Sequence, residues 1–181
     1  MKLRLVTALA LVGALFLSVS GAQAATPVLD GKVKKKLEIT AKGGLQDNTS
    51  TMLIGEEREY CTKHCARLPF VYKPAKGIKG GLMFTATWSN PASDIDLTVV
   101  EAGPKGAWTE VGSCNGAGNM MEKVYIPPAS LRAGKTYAMI MFYFRSVNET
   151  FKGKVEINVP STIKPTVPAK VDEVALVNCT L

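Results

Sequence analysis

The sequence predicts an all-β protein, an antiparallel β-sandwich or jelly roll of about seven to eight strands. Three observations favour this class: short runs of alternating apolar and polar residues, turn residues (Gly, Pro and Asn) between the runs, and no convincing amphipathic helix. The gaps between runs are too short for the helical crossovers of a parallel sheet, which need about a dozen residues or more. With 181 residues, 46% apolar and 20% charged, the chain fits one domain with tails and is not a disordered protein.

Eight segments are predicted as strands because alternate side chains of a strand point to opposite faces of its sheet. Segments 81–88 and 94–101 show the clearest alternation, whereas 136–145 is apolar on both faces, as expected of a central strand. Pro69 lacks an amide hydrogen and therefore predicts an edge position for its strand. The segments are 36–41, 67–73, 81–88, 94–101, 107–113, 121–126, 136–145 and 151–159.

Residues 1–24 have the pattern of a secretory signal peptide. Lys2 and Arg4 precede the apolar run 5–17, and the small residues around Ala24 fit a signal peptidase site. The run is shorter than the ~20 residues needed to span a bilayer. We therefore expect a secreted, periplasmic or extracellular protein without a transmembrane anchor in the mature chain.

The mature chain divides into three parts by composition. Residues 25–44 form a basic arm with the first strand and carry five lysines, 45–159 form the sandwich, and 160–181 form a proline-rich connector and tail. The arm is interpreted as a solvated edge strand protected by its lysines, and contact with an anionic envelope polymer or membrane surface is the alternative. No nucleic-acid partner is expected, because the exported chain has no interleaved basic and aromatic surface.

Four cysteines, Cys61, Cys65, Cys114 and Cys179, predict two disulfides in an exported protein. Of the three possible pairings, Cys61–Cys65 with Cys114–Cys179 is favoured, because the first pair spans a tight turn and the second fastens the tail. A zinc site using His64 is the alternative for the cysteine cluster. No nucleophile elbow, zinc-protease helix or phosphate loop is present, so we expect no catalytic residues and no enzyme activity.

Asp94 and Asp96 fall on one face of a predicted strand, about 7 Å apart. Two such carboxylates are a candidate calcium site, since calcium prefers oxygen ligands, and no cofactor other than this calcium is predicted. The alternative is structural: the carboxylates accept amide hydrogens from the preceding turn. Trp108, in a glycine-rich loop region, is the candidate ligand-binding aromatic residue.

Segments 81–88 (GLMFTATW), 93–103 (SDIDLTVVEAG), 133–137 (AGKTY) and 151–159 (FKGKVEINV) occur in an order that resembles the bacterial pre-peptidase C-terminal domain. The resemblance covers about residues 67–159, and Asp94 and Asp96 match the family's acidic pair. It implies a non-catalytic β-sandwich, usually appended to secreted hydrolases, with some relatives binding calcium or extracellular matrix. The last strand departs from the family pattern by lacking its Gly-x-Tyr.

Together these features predict a secreted, non-catalytic β-sandwich binding module whose partner is an extracellular or envelope polymer or protein. A structural or self-assembling envelope protein is the first alternative. A hydrolase using Asp94 and Asp96 is the second.

Overall fold

The structure, a computed structural model, describes residues 25–47, 61, 64–116 and 119–160, and ten strands lie within them. Each predicted segment is a strand with its ends within two residues of the prediction, and two short strands are added to the predicted seven or eight. The strands are β1 Val28–Leu29, β2 Lys36–Lys42, β3 Leu45–Asp47, β4 Cys65–Tyr72, β5 Gly81–Thr87, β6 Asp94–Ala102, β7 Trp108–Cys114, β8 Met121–Ile126, β9 Thr136–Val147 and β10 Thr150–Val159.

The strands form two sheets that pack as a sandwich, which confirms the predicted fold class. The larger sheet has the order β1-β4-β9-β6-β7, with β3 also paired to β9, and the smaller sheet has the order β2-β10-β5-β8. Every pairing is antiparallel except that of β1 with β4. Strand β1 reaches only Val71 and Tyr72 of β4. Pro69 therefore lies where β4 has no described strand on its outer side, as its missing amide hydrogen requires.

The core lies between the sheets and is built by the alternation that the sequence shows. Ile95, Leu97 and Val99 of β6 point into it with no exposed surface. Strand β9 is central, between β4 and β6, and it is apolar on both faces, as predicted. Its Ala138 and Ile140 form a second, smaller buried cluster with Val100 of β6, on the outer face of the larger sheet.

The described part of the basic arm belongs to the sandwich. Strand β1 pairs with β4, and β2 is an edge strand of the smaller sheet, paired with β10. Lys36 and Lys42, at the two ends of β2, are exposed. The region thus contains an edge strand with an exposed lysine at each end, and the roles predicted for its lysines stay predictions.

Residues 1–24 and 161–181, which hold the predicted signal peptide, most of the connector and the tail with Cys179, lie outside the described residues. Across the described ranges, no helix has the length and apolar character to cross a membrane.

Candidate functional site

The outer face of the smaller sheet forms a groove of about 860 Å³. Threonine, lysine and methionine side chains from all four strands supply most of its wall, together with two glutamates. The lining residues are Glu38, Ile39, Thr40, Met83, Thr85, Thr87, Met121, Lys123, Lys152, Gly153, Lys154, Glu156 and Val159. We call this surface the groove.

The strand registers arrange these side chains in three rows across the sheet. The first row runs Thr40, Lys152, Thr87, Met121 and the second runs Glu38, Lys154, Thr85, Lys123. The third row runs Lys36, Glu156, Met83, Tyr125. Each row crosses β2, β10, β5 and β8 in that order, so Thr85 has a lysine on each side and Thr87 lies between Lys152 and Met121.

Two of the four lysines in these rows are neutralised by glutamates. Lys36 Nζ lies 2.9 Å from Glu38 Oε1, and Lys154 Nζ lies 2.8 Å from Glu156 Oε2. The hydrogen bond between Lys36 and Glu38 raises the pKa of the lysine and lowers that of the glutamate. Lys123 and Lys152 form no ion pair with any residue that the structure describes. Positive charge is therefore left over on the β8 and β10 side of the groove.

The groove offers binding groups rather than reactive ones. Threonine hydroxyls donate and accept hydrogen bonds, lysine ammonium groups attract anions, and Met83 and Met121 supply apolar surface. The described lining residues include no His, Cys, Asp or Ser side chain. Such a lining can hold a hydroxyl-rich or anionic ligand along the strands.

The predicted pair Asp94 and Asp96 lies elsewhere, on β6 of the larger sheet, and the fold brings it close to Glu122 of β8. Glu122 is fully buried, and its Oε2 accepts the amide hydrogen of Leu97 at 2.9 Å. The buried atoms Glu122 Oε1 and Asp94 Oδ1 have no hydrogen-bond partner. Burial of a carboxyl group favours its protonated form.

Burial is the first cause of the altered titration in this cluster. It raises the pKa of Glu122 to about 9, with the charge of Asp96 as the next cause, while the amides of Leu97 and Gly116 oppose the rise. Burial also raises the pKa of Asp94, helped by Asp96 and opposed by Arg145. Mutual repulsion and desolvation thus act together on the acidic cluster.

The acidic cluster contains the two aspartates that the sequence predicts as a calcium site. The described residues contain no group of three or more His, Cys, Asp or Glu side chains placed to hold a metal ion. Glu122 Oε2 is engaged by a backbone amide, which leaves few of the six to eight oxygens that calcium takes. The geometry therefore gives the calcium expectation no support.

The backbone amides of the turn before β6 donate hydrogen bonds to the side chains of Glu149 and Asn90. Glu149 Oε2 accepts hydrogen bonds from the amides of Ser89 and Asn90, each at 3.0 Å, and Asn90 Oδ1 accepts that of Ala92 at 2.9 Å. Asp94 Oδ1 takes no part in this network. Glu149, from the loop between β9 and β10, thus caps this turn.

Trp108 lies on the outer face of the larger sheet, away from the groove. The Arg67 guanidinium carbon stands 3.9 Å from the centre of its ring, and the ring packs against the cluster of Val100, Ala138 and Ile140. Burial lowers the pKa of Arg67. One face of this indole is thus occupied by a cation of the same chain, which leaves less of it for a ligand.

The predicted Cys61–Cys65 disulfide is present, with the two Cα atoms 5.6 Å apart. This bond removes two thiolates from the alternative zinc site. Cys114 is fully buried and also disulfide-bonded. Its predicted partner, Cys179, lies outside the described residues, so the second pairing stays a prediction.

Sequence reasoning missed Glu122 and the groove lysines. Glu122 alternates in step with the apolar residues Val124 and Ile126, so the sequence pattern already places its carboxyl group on the inward face of the strand. The sequence pattern places Lys123 and Lys152 on the outward faces of their strands, as is typical of solvated residues. Their position on one groove depends on β5 lying between β8 and β10, which local alternation does not reveal.

No family model and no curated protein matches the chain, so the resemblance to the pre-peptidase C-terminal domain stays a prediction. Among solved structures, the chain is similar to the crystal structure of a Yersinia pseudotuberculosis-derived mitogen, at 9% sequence identity and a TM-score of 0.40. That similarity covers 81% of this chain and 98% of the other. At this TM-score it carries no argument about fold or function.

Proposed function

We propose that the protein is an exported, non-catalytic binding module that binds an extracellular or envelope ligand in the groove. The observation that carries the proposal is the concave outer face of the smaller sheet, where hydroxyl, ammonium and thioether groups line about 860 Å³. Concave surfaces with a few placed polar groups are the usual form of binding sites. Export is supported by the amino-terminal sequence pattern and by the Cys61–Cys65 disulfide.

The chemistry of the groove supports the proposal of a non-catalytic role. Nucleophilic and general acid–base catalysis require a nucleophile or a base held against the reacting atom. The glutamates of the groove are held by lysines instead. Asp94 and Asp96, the carboxylates of the hydrolase alternative, lie on the other sheet.

The proposal is tested by screening the mature chain, residues 25–181, on glycan and protein arrays with a variant that fills the groove. Thr85→Tyr places an aromatic ring in the middle row, and β-strands accept tyrosine well. Thr109→Tyr is the matched control, because Thr109 is an exposed strand residue of the larger sheet. We expect a saturable ligand that Thr85→Tyr loses and Thr109→Tyr keeps. Absence of any ligand, or equal binding by both variants, would overturn the proposal.

A further inference from the structure

We infer that the ligand of the groove is an anionic glycan, whose acid groups bind at Lys123 and Lys152. This inference rests on the proposed function and adds the chemical class of the ligand and its orientation. The charge distribution across the three rows and the hydroxyl groups between the lysines carry the argument.

The two lysines stand on either side of β5. Lys123 pairs with Thr85 and Lys152 pairs with Thr87, so their strands lie two strand spacings apart, about 9–10 Å. They are also offset by one row, about 7 Å along the strands. At this spacing the two lysines can bind two separate acid groups of one ligand, and they are too far apart to bind one small anion together.

The lysines that are left without an ion pair favour an anionic ligand. Lys154 and Lys36 are matched by Glu156 and Glu38, while Lys123 and Lys152 are unmatched within the described residues. A lysine ammonium group without a counterion attracts an anionic group more strongly than one that a glutamate already neutralises. Complementary charge of this kind gives specificity and a fast association rate.

The groups beside the lysines favour a glycan over other anionic ligands. Thr85 and Thr87 lie between the lysines, and their hydroxyls can exchange hydrogen bonds with sugar hydroxyls. Met83 and Met121 provide apolar contact for sugar ring faces. The described lining has no aromatic residue on which nucleic-acid bases would stack. A recessed groove also fits an extended chain better than a flat membrane surface.

The glutamates fix the orientation of the chain. Glu38 lies on β2, and Glu156 lies in the row farthest from Lys152. Their carboxylates repel acid groups and accept hydrogen bonds from sugar hydroxyls. The acid groups of the ligand therefore lie at Lys152 on β10 and Lys123 on β8, and its neutral hydroxyls face Glu38 and Glu156.

The test measures binding of polygalacturonate, a carboxylate glycan, and glycerol teichoic acid, a phosphate-bearing polymer, against neutral dextran and anionic phosphatidylglycerol vesicles. The proteins are the mature chain, the double variant Lys123→Gln/Lys152→Gln and the control Lys76→Gln/Lys135→Gln. The control removes two exposed lysines that lie outside the groove. Both variants change the net charge equally, and equal melting temperatures verify that both fold.

We expect at least one anionic glycan to bind, with about tenfold weaker affinity and a smaller salt dependence for the groove variant only. Preference for dextran or vesicles, or equal losses in both lysine variants, would overturn the inference. A neutral or protein ligand that Thr85→Tyr abolishes would overturn the inference while leaving the proposed function standing. If no ligand binds at all, both fail.

Discussion

A buried glutamate lies near each end of strand β6, Glu101 at one end and Glu122 at the other, and the two have different surroundings. At the Glu101 end, Tyr137 donates to Glu101 at 2.8 Å, and Arg132 Nε donates to it at 3.0 Å. At the Asp94 end, the buried oxygens Asp94 Oδ1 and Glu122 Oε1 have no donor. Glu101 is held by a cation and a hydroxyl, whereas burial raises the pKa of Glu122.

The difference follows from which side chains the neighbouring segments provide. Arg132 precedes β9 and reaches Glu101 from the edge of the sandwich, while the Tyr137 hydroxyl accepts the amide hydrogen of Arg132 at 2.8 Å. Burial is the first cause that raises the pKa of Tyr137, to about 12, so this donor keeps its proton over the physiological range. The charges of Asp96 and Asp94 instead raise the pKa of Glu122 further. A buried carboxyl group thus needs either a donor or a proton.

The largest expected effect is stabilisation by Glu122→Gln above neutral pH. The folded-state pKa of about 9 is above the ordinary value of 4.5, so the folded protein keeps a proton that the unfolded chain loses. Wild-type stability therefore falls as pH rises from about 4.5 to about 9. Glutamine has no such proton to lose, and its oxygen can still accept the Leu97 amide. We expect a gain of about 1–3 kcal/mol at pH 8 and almost none at pH 4.

Urea unfolding of the mature chain at pH 4, 6 and 8, with a chelator present, measures this effect. Glu110→Gln is the matched control, because Glu110 is exposed on β7, and its stability should follow the wild-type pH curve. Repeating the pH 8 measurement in millimolar calcium without chelator separates metal binding from protonation. A loss of stability for Glu122→Gln at every pH would contradict the protonated-acid description.

The sequence predicted β6 well because its alternation is local. Ile95 and Leu97 point into the core, and Asp94 and Asp96 take the opposite parity, as predicted. Their approach to Glu122 was not predicted, because β6 and β8 belong to different sheets. Alternation gives the face of a residue within its own strand, but which strands lie opposite each other depends on the packing of the whole sandwich.

The groove shows the same limit. The outward parity of Lys123 and Lys152 could be read from their strands, but the strand order β2-β10-β5-β8 joins segments far apart in the chain. Trp108 stood out by its glycine-rich surroundings, yet Arg67, from a distant strand, covers one face of its ring. Contacts between residues far apart in the sequence therefore determine which outward-facing side chains line the groove and which are covered by other side chains.

The next largest effect concerns the hydrogen bonds of Glu101. Tyr137→Phe removes the hydroxyl that donates to Glu101 and accepts from the Arg132 amide. Because Glu101 is 3% exposed, the lost donor is not fully replaced by water. We expect a loss of about 1–2 kcal/mol in the free energy of unfolding. Tyr143→Phe is the control, since Tyr143 is similarly buried without a described hydrogen bond of its hydroxyl, and it should change stability far less.

The smallest effect concerns the charges that act on Glu122. Asp96 raises the pKa of Glu122 more than Asp94 does, and burial contributes most. Asp94→Asn should therefore lower the pH at which folded Glu122 titrates by a small amount, and Asp96→Asn should lower it more. The loss of unfolding free energy between pH 4 and pH 8 should then be smaller in both variants than in the wild type, by less than about 1 kcal/mol for Asp94→Asn and by more for Asp96→Asn. Carbon-13 NMR titration of the Glu122 carboxyl resonance gives the order directly. A larger shift for Asp94→Asn, or no shift in either variant, would show that like charge is not what distinguishes the two ends of β6.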